Sequence, residues 1–279
     1  MKSHPKPAGA LAAALFAALS FGVGLRAEAA PPSRPQAKGG AALYRSGMEL
    51  LNEGRYELAE KEFRASAAAG YRPGASYYNA ACALARAGKK PEAFEALQKA
   101  LEEGYDDPRH MAKDDDLEAL HGEKRFTQLL DLAEDLSLGA GFEGLMGNIL
   151  PHTRLTAWRG EIPRYEEVAK AHPEIGRAWY NLGYAQLMAD RPGAAAEAFG
   201  KALERGYRKP LTLYNLACSE ARTGSTDKAF DHLFQAIDAG FTSAGHMEDD
   251  ADLDSLRKDP RFKKALRLAR EKRAADDED

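Results

Sequence analysis

Displaced by 136 residues, the sequence falls onto itself without a gap. YNAACALARAG (78–88) meets YNLACSEARTG (214–224), and DDDLEALHGEKRF (114–126) meets DADLDSLRKDPRF (250–262). From Tyr44 to Leu132, 31 of 89 pairs are identical, whereas unrelated segments of ordinary composition match at about one pair in fifteen. The chain is therefore a tandem duplication, and whatever one copy folds into, the other must fold into as well.

A finer period lies inside each copy. Gly47 and Ala81 stand 34 residues apart, as do Gly183 and Ala217, Ala59 and Ala93, and Ala195 and Ala229. A small residue at such a place lets two helices approach closely. Between these landmarks lie turn signals: Asn52-Glu53-Gly54, Ala87-Gly88, Asp190-Arg191-Pro192-Gly193 and Thr223-Gly224-Ser225. The pattern is helix, tight turn, helix. Ala, Leu, Glu and Lys dominate, runs of Val, Ile and Thr are nearly absent, and 44% of residues are hydrophobic. That composition favours helix over strand and is too apolar for a wholly disordered chain.

The segment WYNLGYAQLMADRPGAAAEAFGKALERGY (179–207) resembles a tetratricopeptide (TPR) repeat through Trp179, Leu182-Gly183, Ala195, Phe199 and Ala202. Units near 43–71, 77–105 and 213–241 match with substitutions: Leu43, Tyr77 and Leu213 replace Trp, and Ala81 and Ala217 replace Gly. Tyr71, Tyr105, Tyr207 and Phe241 stand where the family often has Pro. The resemblance implies an all-α fold: an α-solenoid of TPR helical hairpins in two tandem duplicated modules. A single hairpin cannot bury its apolar face alone and must stack on a neighbour.

Each pair of hairpins is followed by a third unit, 107–136 and 243–272. A short Leu-x-x-Leu helix behind acidic residues leads to a last helix at Arg125-Phe126 or Arg261-Phe262. These capping helical pairs are expected to close each short stack. The expected organisation is thus module 1 over 41–138, a joint with a degenerate helical hairpin over 139–176, and module 2 over 177–273. An acidic tail follows at 274–279. Within the joint, LGAGFEG (138–144) reads as a hinge, and a helix is expected from about Pro163 to Ala171.

The N-terminus carries an address. Lys2 and Lys6 precede an uncharged stretch from Ala8 to Leu25, followed by Ala27-Glu28-Ala29. That order is a secretory signal with its cut after Ala29, so 1–29 is expected to be removed and 30–40 to be a flexible linker. A retained anchor is the alternative, although Gly22 and Gly24 break the apolar run. In a bacterium the destination would be the periplasm or beyond. The net charge is −4. A mildly acidic chain argues against nucleic acid as the partner.

The candidate binding groove follows from the inner helices, which in the TPR family line a concave surface. Tyr44, Tyr78, Tyr180 and Tyr214 recur in all four units, Asn79, Asn181 and Asn215 follow in three, and Arg86 and Arg222 lie two turns further along. Aromatic area, amides for peptide groups and guanidinium for carboxylates suit an extended peptide. The competing reading makes Tyr and Asn stack-building residues that hold adjacent helices. A carboxylate clamp of the kind some TPR proteins use is not expected, since Tyr44 and Met48 occupy its places. Arg177 reads as a solvated side chain.

Cys82 and Cys218 are one position duplicated, read as small buried hydrophobes rather than a disulfide pair. His110-Met111 and His246-Met247 precede acidic runs, a pattern that could attract a metal but has no calcium-loop or CxxC spacing. Nothing catalytic is visible, and no cofactor is expected. The function read from the sequence is an exported scaffold or assembly factor that binds a protein or peptide. The alternatives are a periplasmic metal sensor or carrier and a structural spacer.

Overall fold

The structure, a computed structural model, describes residues 37–137 and 151–278. The expected signal peptide, most of the linker and the Gly-rich joint lie outside the described residues. Every regular element described is helical.

Module 1 contains α1 (Ala37–Asn52), α2 (Tyr56–Ala68), α3 (Pro73–Arg86) and α4 (Lys90–Glu102). A short α5 (Pro108–Met111), a first 3₁₀ turn (Asp115–Leu120) and α6 (Lys124–Leu136) complete it. After α7 (Pro151–Ala171), module 2 repeats the order. It has α8 (Gly176–Met188), α9 (Pro192–Glu204), α10 (Lys209–Arg222), α11 (Thr226–Asp238), α12 (Ala244–Asp249), a second 3₁₀ turn (Ala251–Leu256) and α13 (Pro260–Glu278). Each hairpin packs its two helices together, and α2 and α9 also pack on the next hairpin's first helix.

The small residues do what their spacing implies. Ala59, Ala81, Ala93, Ala195, Ala217 and Ala229 are fully buried. A Cβ placed on Gly47 would lie 2.8 Å from the Phe63 ring, and one on Gly183 2.8 Å from the Phe199 ring. Those aromatics fill the space that the missing methyl leaves.

The capping units are built from acids, as expected, but the Leu-x-x-Leu element is 3₁₀ and follows the short helix α5 or α12. Asp114 Oδ1 accepts from Asp116 N–H at 3.0 Å, and Asp250 Oδ1 from Asp252 N–H at 3.0 Å. Two leucines per turn, Leu117 and Leu120 or Leu253 and Leu256, are fully buried. At six residues each turn is longer than the three or four usual for this tighter helix, and its two buried leucines hold it against the core.

Three boundaries differ from the sequence reading. Helix α1 begins at Ala37, inside the stretch assigned to the linker. Helix α7 starts at Pro151 and runs through Pro163 rather than beginning there. The Pro costs one helical hydrogen bond, and burial of Trp158, Ile162, Tyr165 and Val168 along one face offsets that loss. Helix α13 continues to Glu278, through most of the segment assigned to the tail.

The two modules share one core. Leu97, Leu101, Leu129, Leu132 and Leu136 of module 1 belong to the same buried cluster as Trp158, Ile162, Ala178, Leu182 and Ala185. The end of α4 is held by Arg177, which is buried rather than solvated: Nη1 donates to Leu101 O at 2.9 Å and Tyr105 O at 2.7 Å. A guanidinium at a helix C-terminus satisfies carbonyls that have no partner within the helix.

Candidate functional site

The nine residues expected to line a groove all lie on the first helices of the hairpins, α1, α3, α8 and α10. Their side chains serve two kinds of contact. Asn79 Nδ2 donates to the Tyr44 hydroxyl at 2.7 Å, and Asn215 Nδ2 to the Tyr180 hydroxyl at 2.9 Å. These bonds tie each second hairpin to the one before it. Asn181, in α8, donates instead to Leu136 O at the end of α6, at 3.1 Å.

Tyr78 and Tyr214 face the capping units. The Tyr78 hydroxyl donates to Asp114 Oδ2 at 2.6 Å and the Tyr214 hydroxyl to Asp250 Oδ2 at 2.7 Å. Tyr78 stacks on Tyr105 with centroids 4.0 Å apart, and Tyr214 on Phe241 at 4.1 Å. In the other two units Tyr44 meets Tyr71 at 5.7 Å and Tyr180 meets Tyr207 at 5.3 Å. An aromatic thus closes each hairpin where the family often has Pro, and the inner-helix tyrosine rests against it. Nothing adjacent to them in the sequence assigns those four aromatics a partner. Their common offset of 27 residues from the tyrosines was the available signal.

Arg86 and Arg222 lie at the same edge. Arg86 pairs with Asp116, donates to the Tyr56 hydroxyl at 2.9 Å and sits over that ring. Arg222 pairs with Asp190 and with Asp252, the latter at 3.3 Å. Asp116 holds the Arg86 pKa above its ordinary value by hydrogen bonding first.

Exposure divides the nine. Tyr78 and Tyr214 are 3% and 1% exposed, so their rings offer no area to a peptide while the caps are docked. Tyr180 is buried as well. Tyr44, Asn79, Asn181 and Asn215 are half-buried and keep an edge toward solvent.

Around Asp114 the polar groups converge. Its Oδ2 accepts from Tyr78, lies 3.8 Å from Cys82 Sγ and 3.3 Å from His110 Nε2. Asp250 repeats this with Cys218 Sγ at 3.6 Å and His246 Nε2 at 3.8 Å. Cys82, Asp114 and Asp116 bring possible metal ligands within 4.8 Å of one another, as do Cys218, Asp250 and Asp252. Burial, and then the neighbouring carboxylates, push the Cys82 thiol well above its usual pKa. A protonated thiol beside two carboxylates already engaged by Tyr78 and Arg86 ties the inner helix to the cap. Met111 and Met247 are fully buried in the core.

A family model described as Tetratricopeptide repeat matches residues 44–108 and 162–207. Both copies thus carry tetratricopeptide repeats over the matched segments. The second match begins in α7, so that helix stands where the second helix of a preceding repeat would be. A chloroplastic protein of Arabidopsis thaliana is 32% identical over 89 residues, which cover 31% of this chain and 27% of that relative. Among the described residues no helix is long and apolar enough to cross a membrane.

Proposed function

We infer that the protein is an exported, non-catalytic scaffold that binds an extended peptide or a protein partner along the face of its inner helices. The observation that carries this reading is the row of half-buried polar groups on successive first helices: Tyr44, Asn79, Asn181 and Asn215, with Arg86 and Arg222 at one edge. Buried Tyr78, Tyr180 and Tyr214 hold that row in register. Repeated hairpins present such groups at a constant step, which matches an extended chain better than a compact ligand. Export rests on Lys2, Lys6, the apolar stretch Ala8–Leu25 and Ala27-Glu28-Ala29.

Site-specific photo-crosslinking in cells tests the binding face. A crosslinker at Met48, Asn79 or Tyr184 should yield discrete adducts, and one at exposed Lys61 or Glu95 on second helices should not. Adducts confined to the second helices would overturn the assignment. Fractionation tests export: recovery of the full-length, uncut chain in the cytoplasm would end it. A spacer without a partner is the second reading, favoured by how many inner-helix polar groups are used between units.

A further inference from the structure

The two copies present the same helix to solvent with opposite electrostatics. Helix α6 exposes Thr127, Gln128, Asp131 and Glu134. The positions 136 residues on, in α13, are Lys263, Lys264, Arg267 and Arg270, all exposed. Two neutral side chains and two carboxylates have become four cations. At 3.6 residues per turn, Lys263, Arg267 and Arg270 fall within about 60° of one another, flanked by Lys264 and exposed Arg273.

Folding does not demand these charges. Module 1 builds the same contacts with the opposite ones: Phe126, Leu132 and Ala133 sit where Phe262, Leu268 and Ala269 sit in module 2. The helix dipole does not demand them either. Lys263 and Lys264 lie near the start of α13, where a dipole disfavours cations, and the end of that helix is acidic. Beside the stripe, Phe234 replaces Gln98 of the first copy and is half-buried, with Lys264 Nζ 5.4 Å from its ring centroid. Carboxylates already seat on this surface: Glu248 on Arg270 at 2.6 Å, and Glu271 on Arg267 at 3.5 Å.

We propose that the outer face of α13, with Phe234, docks an acidic segment of a partner protein. Its carboxylates pair with Lys263, Arg267 and Arg270 one turn apart, and an apolar side chain rests on Phe234. Other polyanions fit less well. The phosphate backbone of a nucleic acid offers no apolar side chain to rest on Phe234. A membrane surface would require more exposed apolar area than half-buried Phe234 and Leu268 supply. This surface belongs to the last cap and its neighbour, so it stands or falls separately from the inner-helix reading.

The test uses the full chain and a labelled peptide of Glu-Glu-Leu-Glu repeats about 16 residues long, which as a helix would run about 24 Å beside the stripe. Anisotropy at low salt should show binding that weakens with ionic strength. A graft of the first copy's residues (Lys263→Thr, Lys264→Gln, Arg267→Asp, Arg270→Glu) should weaken it at least about tenfold, since exposed pairs contribute up to about 1 kcal/mol each. These residues already fold in module 1, so an unchanged circular dichroism spectrum is expected. The reverse graft in module 1 (Gln98→Phe, Thr127→Lys, Gln128→Lys, Asp131→Arg, Glu134→Arg) should create a second site and raise the stoichiometry from one to two. Phe234→Gln should weaken the Leu-containing peptide and leave a plain oligoglutamate unchanged. The proposal fails if the graft leaves affinity within about twofold. It also fails if phosphatidylglycerol vesicles or duplex DNA bind this face more tightly than the peptide.

Discussion

Tyr78 and Tyr214 show how a residue suited to ligand binding becomes part of the scaffold. Burial first, then the nearby Cys82 or Cys218 and aspartates, push both phenols far above their ordinary pKa. The folded protein therefore keeps both protons where the unfolded chain loses them. Stability is flat below the unfolded pKa, about 10, and falls as pH rises beyond it. Each retained proton contributes about 1.4 kcal/mol of slope per pH unit. Urea midpoints between pH 8 and 11 should fall less steeply for the Tyr78→Phe, Tyr214→Phe variant; an unchanged slope would refute that proton retention. At neutral pH each replacement should cost about 1.5–3 kcal/mol, the worth of a hydrogen bond to a charged acceptor. Arg177 teaches the converse. Its charge read as surface, yet it is buried on two carbonyls 72 and 76 residues away. Arg177→Ala should destabilise by about 2–4 kcal/mol in urea unfolding, from lost hydrogen bonds plus a void. A loss below about 0.5 kcal/mol, the usual range for surface changes, would contradict the buried geometry.

Among elements, the helices were legible because their periodicity and small-residue landmarks are local. Gly47 and Gly183 mark close helix crossings within the hairpins. Gly47→Ala or Gly183→Ala would set a methyl 2.8 Å from an aromatic ring. Overpacking of this kind should lower stability by about 1–3 kcal/mol even though Ala is the better helix former. Thermal unfolding with a raised midpoint would show that the ring yields. The ends of α7 and α13 were less legible, since Pro163 and the acidic tail are both unfavourable locally. Burial of Trp158 and Ile162 on one side of the Pro and of Tyr165 and Val168 on the other decided the first. That is a tertiary override of local propensity.

For the whole molecule, paired positions separate free ends from joined ones. Ala178, Leu182, Ala185 and Ala189 of α8 are buried, and Arg159 on α7 donates to Ala189 O at 3.2 Å. The matching positions of α1 are Ala42, Ser46, Glu49 and Glu53, polar enough for a face toward solvent. At the other side Leu136 is buried, and its counterpart Lys272 is part-exposed. That face of unit 1 reaches solvent where its counterpart in module 2 is buried, and α6 is an internal joint. A core shared across the joint predicts coupled unfolding of the two modules. Tryptophan fluorescence, which reports Trp158 and Trp179 at the joint, and far-ultraviolet dichroism should trace one coincident urea transition. Two separated transitions would show that the modules unfold independently.

Helix content, the repeat interval, the duplication and the chemistry of the caps were determined by residues within a few turns of one another, because small residues, turn formers and capping acids act locally. Which polar side chains still face solvent was decided only when units stacked. Tyr78, Asn79, Arg86 and Arg177 each meet partners about 30 residues or more away in sequence. The burial of such a group depends on the surface that arrives to cover it, and that surface is not encoded beside it.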